Sequence, residues 1–184
     1  MAKASMNLGV YAGILNPKKE GKLLLRRRVE EDSILPGKSF KGNWELPGGG
    51  VMETEKPGYD WPIRELRREV EDEVGISIPV DPMPPMYPVF FKGPIGYDLA
   101  QVTPIITEAE PTRGETIYVS PPELERLAEE FVPANKEKGI DRKGIVSGKG
   151  KRMHCMALAA LSHSPNPEFA KQAQEMLAEI QKGW

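Results

Sequence analysis

Three of the four acids on one short stretch of this chain share a side: Glu69, Asp72 and Glu73 in "RREVEDEVGI", residues 67–76. Their spacing is i, i+3 and i+4, so a helix would carry all three within one turn. Like charges this close repel by a few tenths of a kcal/mol per pair. Two readings account for them. They form a solvated helix face, or they are held together because a cation joins them. Carboxylate oxygens suit a hard divalent ion such as magnesium, which prefers oxygen donors near 2.1 Å with water completing its shell. Two histidines and one cysteine leave little for a soft zinc site.

The acids need a helix to present them, and the apolar residues supply its pattern. Ile63, Leu66, Val70 and Val74 are spaced by 3, 4 and 4, one stripe down one side of a helix over 62–74. Pro62 suits a first helical turn, Asp60 is a candidate cap, and Gly75 stands where a helix ends. Ahead of it, residues 6–15 and 21–29 read as two strands joined by the turn-rich "NPKKEGK", a hairpin. Residues 30–43 read as a polar loop, followed by "WELPGGGVME" at 44–53 with three consecutive glycines. A short strand is expected at Ile76–Val80. Further strands are expected at "VFFKG", over 97–110 and over 115–120, then a short helix at 121–131. Residues 132–152 read as a basic, glycine-rich loop, and two helices close the chain, separated by "SPNP". Strands around one central helix, with helices behind, predict an α+β fold arranged as an α/β/α sandwich.

From Gly49, five residues lead to Glu55; then come Arg68-Glu69-Val70, one residue, Asp72-Glu73, one residue, and Gly75-Ile76. This resembles the Nudix box: G, five residues, E, seven residues, then R-E-U-x-E-E-x-G-U, with U aliphatic. The match covers Gly49 to Ile76, and a looser likeness, including "WELPGG" and "YVSPPEL", extends over about the first 130 residues. Two features depart from the pattern. Twelve residues, not seven, separate Glu55 from Arg68, so the 56–62 stretch carries an insertion, and Asp72 stands where the family has glutamate. Extra loop length there costs little, and aspartate still ligates magnesium.

The resemblance implies a Nudix fold, a mixed β-sheet with the Nudix loop–helix–loop and extra C-terminal helices, as one domain over 1–184. Its core would span about 5–131 and the helical extension about 132–184. It implies a magnesium-dependent hydrolase, with manganese as a substitute ion, that cleaves the pyrophosphate of a nucleoside diphosphate linked to another group. Glu69, Asp72 and Glu73 would be the metal ligands, with Glu69 or Glu73 taking the water's proton. Arg68 and Glu55 would form a salt bridge bracing the loop–helix–loop, and Gly48, Gly49 and Gly50 would let the backbone approach the helix closely. Glu108, Glu110 and Glu115 are candidates for a base outside the box.

Substrate contacts are less legible. Arg26, Arg27 and Arg28 end a strand, and alternation turns one or two of them toward a cleft, with Arg27 the candidate phosphate clamp; an exposed strand end is the alternative. Phe90, Phe91 and Tyr97 fit either base stacking or the core. Residues 144–154 combine glycines and basic groups, a flexible lid over phosphates or a plain loop. His154 suits a helix start and Cys155 the core.

Composition bounds the partners. Net charge is −2, so no global basic field would hold nucleic acid. No apolar run approaches the roughly 20 residues of a membrane span. No leader pattern opens the chain, and the single cysteine suits a reducing cytoplasm. A small-molecule nucleotide is the expected ligand, with a homodimer frequent in the family. A nucleotide-binding module that keeps the fold without turnover is the alternative function, and a protein whose acids only solubilise a helix is a third.

Overall fold

A computed structural model describes residues 8–29, 41–50, 61–79, 85–93, 96–127 and 152–182. Its strands are β1 (Leu8–Asn16), β2 (Lys22–Arg27), β3 (Trp44–Glu45), β4 (Gly48–Gly50), β5 (Tyr87–Gly93), β6 (Gly96–Ile106) and β7 (Thr116–Val119). The helices are α1 (Trp61–Val74), α2 over residues 121–127, α3 (Arg152–Leu161) and α4 (Pro167–Lys182), with a 3-10 turn at Pro17–Lys19.

The strands make one mixed sheet in the order β3-β2-β1-β6-β5, with β4 added to β1 and β7 to β2. β1 and β2 form the expected antiparallel hairpin, pairing Leu15 with Leu23. β1 runs parallel to β6 over eight residue pairs, from Leu8–Leu99 to Leu15–Ile106. β1 is therefore central, and its side chains alternate between two cores. Val10, Ala12 and Ile14 face one core with Leu24, Ile105 and the α1 stripe Ile63, Leu66, Val70 and Val74. Tyr11 and Leu15 face the other with Leu23, Leu25, Met156, Leu158 and Ala173. One helix covers one face and α3 with α4 the other, which is the α/β/α sandwich.

Two boundaries differ from expectation. Residues 75–79 form no strand; Ile76 and Ile78 are buried under α1 as apolar anchors of an irregular segment. β6 ends at Ile106, and residues 107–115 cross to the end of α1, where the N–H groups of Thr112 and Arg113 donate to the Val74 carbonyl at 2.9 and 3.3 Å. That crossing satisfies carbonyls the helix end leaves open. Asp60, Glu55, residues 30–40 and residues 132–151 lie outside the described residues.

Candidate active site

The site starts from a glycine. Gly48 pairs with Tyr11 across β4 and β1 at a φ of 138°, and a β-carbon there would lie 2.2 Å from the Val10 carbonyl oxygen. Only glycine fits. Its N–H donates to Glu73 Oε2 at 2.8 Å. Beside it, a β-carbon on Gly49 would sit 3.5 Å from the Glu69 carboxylate. The glycine turn therefore lies against the acid face of α1.

The three acids occupy different surroundings. Glu73 points inward: its Oε1 lies 2.5 Å from Arg26 Nη2, and its side chain is 11% exposed. Burial pushes its carboxyl up to about 8, against the opposing pull of Arg26 and the Gly48 N–H. Glu69 is half-buried at the rim, and burial raises its carboxyl while Arg68 opposes. Asp72 faces solvent at 60% exposed.

Arg68 lies along the helix surface. Its Nη2 meets Glu65 Oε1 at 2.6 Å and also contacts Glu69, and its Nη1 meets Asp72 Oδ2 at 3.1 Å. Hydrogen bonding to Glu65 raises its already high pKa. Its bridge to Glu55 lies outside the described residues. Glu65, Glu69 and Asp72 thus gather around a positive group, and their oxygen-donor chemistry fits a hard divalent ion. They meet a guanidinium spread over several nitrogens, not one point. Among the described residues, no three His, Cys, Asp or Glu side chains are grouped as a metal cage.

Behind Glu73 lies a network that the box spacing did not reveal. Arg26 Nη2 also meets Glu45 Oε1 at 2.7 Å, and Glu45 Oε2 accepts from Arg28 Nη1 at 3.0 Å. Arg26 and Glu45 are both buried. A sequence signal existed: Glu45 sits between Trp44 and Leu46 in an apolar lead-in, and a buried acid requires a cationic partner.

The outer candidates fall elsewhere. Of Arg26, Arg27 and Arg28, Arg26 is the one that meets the α1 acids. Arg27, expected to clamp phosphate, is exposed and pairs with Glu115 at 2.9 Å, with its guanidinium 5.8 Å from the Trp44 ring centroid. Strand alternation explains the difference, since neighbours on β2 point to opposite faces. Arg27 and Glu115 neutralise each other beside the site. Glu108 pairs with Lys18 at 2.9 Å; Glu110 lies 3.6 Å from Lys19 and accepts from Asn16 at 3.3 Å. Asn16 ends β1 five residues beyond Tyr11, about 17 Å along the strand, so these two acids are engaged away from the glycine turn. His154 is buried in α3, 3.1 Å from Glu125, and Cys155 is buried beside it.

No family model matches the sequence, and no curated protein matches it. Solved structures do. The MutT protein from Methanosarcina mazei Go1 shares 19% identity, with a TM-score of 0.48 over 100% of this chain and 98% of that one. A MutT/nudix family protein from Enterococcus faecalis shares 21% identity at a TM-score of 0.45, over 64% of this chain and 45% of its own length. The Nudix domain of Shewanella oneidensis NrtR, crystallised with ADP ribose, shares 14% at 0.45, over 74% of this chain and 90% of that one.

Proposed function

We propose that this chain is a Nudix hydrolase, a magnesium-dependent enzyme that cleaves the pyrophosphate of a nucleoside diphosphate linked to another group. Nucleotide sugars, ADP-ribose-like compounds, nucleoside triphosphates and dinucleoside polyphosphates are the substrate candidates. The observation that carries the reading is the meeting of the glycine turn with the box acids: Gly48 on Glu73 and Gly49 on Glu69. Glu69 and Asp72, with Glu73, would hold the ion. Magnesium supplies charge neutralisation of the phosphate oxygens and a more acidic water. In hydrolysis water adds to one phosphorus, the bridging P–O bond breaks, and the bridging oxygen leaves on the second phosphate. The water's proton passes to a carboxylate, Glu69 or Glu73.

One observation favours the second reading, a nucleotide-binding module without turnover: Arg68 already neutralises Glu69 and Asp72. Metal entry must displace it. The single, buried cysteine fits a cytoplasmic protein.

The test is phosphate release from a nucleotide panel with about 5 mM magnesium, well above typical weak sites, with and without chelator. Chelator-sensitive turnover of one substrate is the expected result. A blank panel, with nucleotide still raising the melting point, would support the binding module instead.

A further inference from the structure

Glu73 is the box acid whose two oxygens are both engaged by other elements. Oε1 meets Arg26 of β2 at 2.5 Å, and Oε2 accepts the Gly48 N–H of β4 at 2.8 Å. Arg26 is itself held by Glu45 of β3 at 2.7 Å. Both contacts are made by the same nitrogen, Nη2, so one end of the guanidinium lies between the two carboxylates and links their positions. Arg68 makes no comparable tie across elements in its described contacts: Glu65, Glu69 and Asp72 all belong to its own helix.

We propose that Arg26 is a positioning residue, which holds the Glu73 carboxylate on the Gly48 backbone and thereby sets the distance between the glycine turn and the acid face of α1. This rests on the hydrolase reading of that face. The geometry makes the chain of contacts short. Gly48 lies close against β1, where a β-carbon would meet the Val10 carbonyl at 2.2 Å, so loss of the Glu73 contact frees the Gly48 N–H and with it the placement of the neighbouring Gly49 against Glu69. Loss of about 1 Å in such positioning can cost a hundredfold in rate. Glu45 completes the device by holding Arg26 from behind.

Arg26→Lys is the informative substitution, because it keeps the charge but replaces the planar guanidinium with a shorter, flexible ammonium. The expected result in the folded variant is a fall in kcat of about tenfold or more with KM within about twofold. The Gly48 amide proton resonance should also move upfield as its hydrogen bond to Glu73 lengthens. A residue with a merely structural role would lower the melting point and move neither reading at a temperature well below it. Unchanged kcat and an unchanged Gly48 resonance in folded Arg26→Lys overturn the proposal. Should that variant fail to fold, Glu45→Gln preserves volume and loosens Arg26. It should shift both readings in the same direction, and no shift overturns the proposal equally. If the wild-type chain turns over nothing in the panel, the hydrolase reading has failed. The Gly48 amide, recorded without substrate, then decides whether Arg26 holds the turn.

Discussion

Arg26 and Arg68 both pair with acids of α1, and burial makes them unequal. Arg68 is 53% exposed, as is the Asp72 it meets at 60%. Exposed ion pairs contribute about 0–1 kcal/mol, because water and salt screen them and long side chains lose entropy. Arg68→Ala should therefore cost no more than about 1 kcal/mol in a urea melt. Arg26 is 6% exposed between Glu45 and Glu73. Its loss leaves the buried Glu73 carboxylate without its cation, while Glu45 keeps Arg28; removing one partner of a buried pair costs about 3–5 kcal/mol, so Arg26→Ala should be the far more damaging change. A larger loss for Arg68→Ala would instead indicate a bridge to Glu55. The ranking inverts what the residues suggest by eye. Arg68 stands inside a recognisable box, whereas Arg26 is one of three consecutive arginines, and nothing in their order tells which is buried. Only the register of β2 with β3 and β7 turns Arg26 toward the acids.

At the scale of elements, helix starts are where local chemistry can be read most directly. Ser120 precedes α2, and Glu123 three residues later accepts from the Ser120 N–H at 2.7 Å and its hydroxyl at 2.8 Å. That spacing is half of a capping box. Burial pushes the Glu123 carboxyl up, but the Ser120 donors and Lys22 outweigh it, and the net effect lowers its pKa from 4.5. A depressed folded value means that the carboxylate stabilises the fold above about pH 4.5 and loses that contribution as pH falls through the folded value. Glu123→Ala should cost about 1 kcal/mol at pH 7, with the gap to wild type shrinking in acid. An equal gap at both pH values would remove the ionised cap from the account. The same logic explains which elements were legible. α1 announced itself through its apolar stripe and Gly75, whose φ is 70°. The Ile76–Ile78 segment misled because alternating buried residues look like a strand, yet the sheet offers them no pairing partner among the described residues. The parallel pairing of β1 with β6 joins residues about ninety apart, and no local pattern encodes it.

At the scale of the whole molecule, α3 and α4 are a layer of the fold and not an appendage. Met156, Leu158 and Ala173 share one core with Tyr11 and Leu15 of β1. A close approach is at Gly13, where a β-carbon would lie 2.3 Å from the Ala160 β-carbon. Backbone φ is not the constraint at this glycine; the facing helix is. β1 also carries Tyr11, the partner of Gly48, so the packing of α3 on one face supports the strand that locates the glycine turn. Gly13→Ala should destabilise the protein by about 1–3 kcal/mol, the usual cost of overpacking a close contact. Ala160→Gly alone should cost about 1 kcal/mol as a glycine within a helix. Combined, the two changes should cost less than their sum, because removing the Ala160 methyl opens the space that the new methyl at residue 13 needs. Strict additivity in a double-mutant cycle would show that α3 is free to shift and that the Gly13 contact does not set the layer spacing. A favourable coupling would place the C-terminal helices among the elements that fix β1, and through it the geometry of the site.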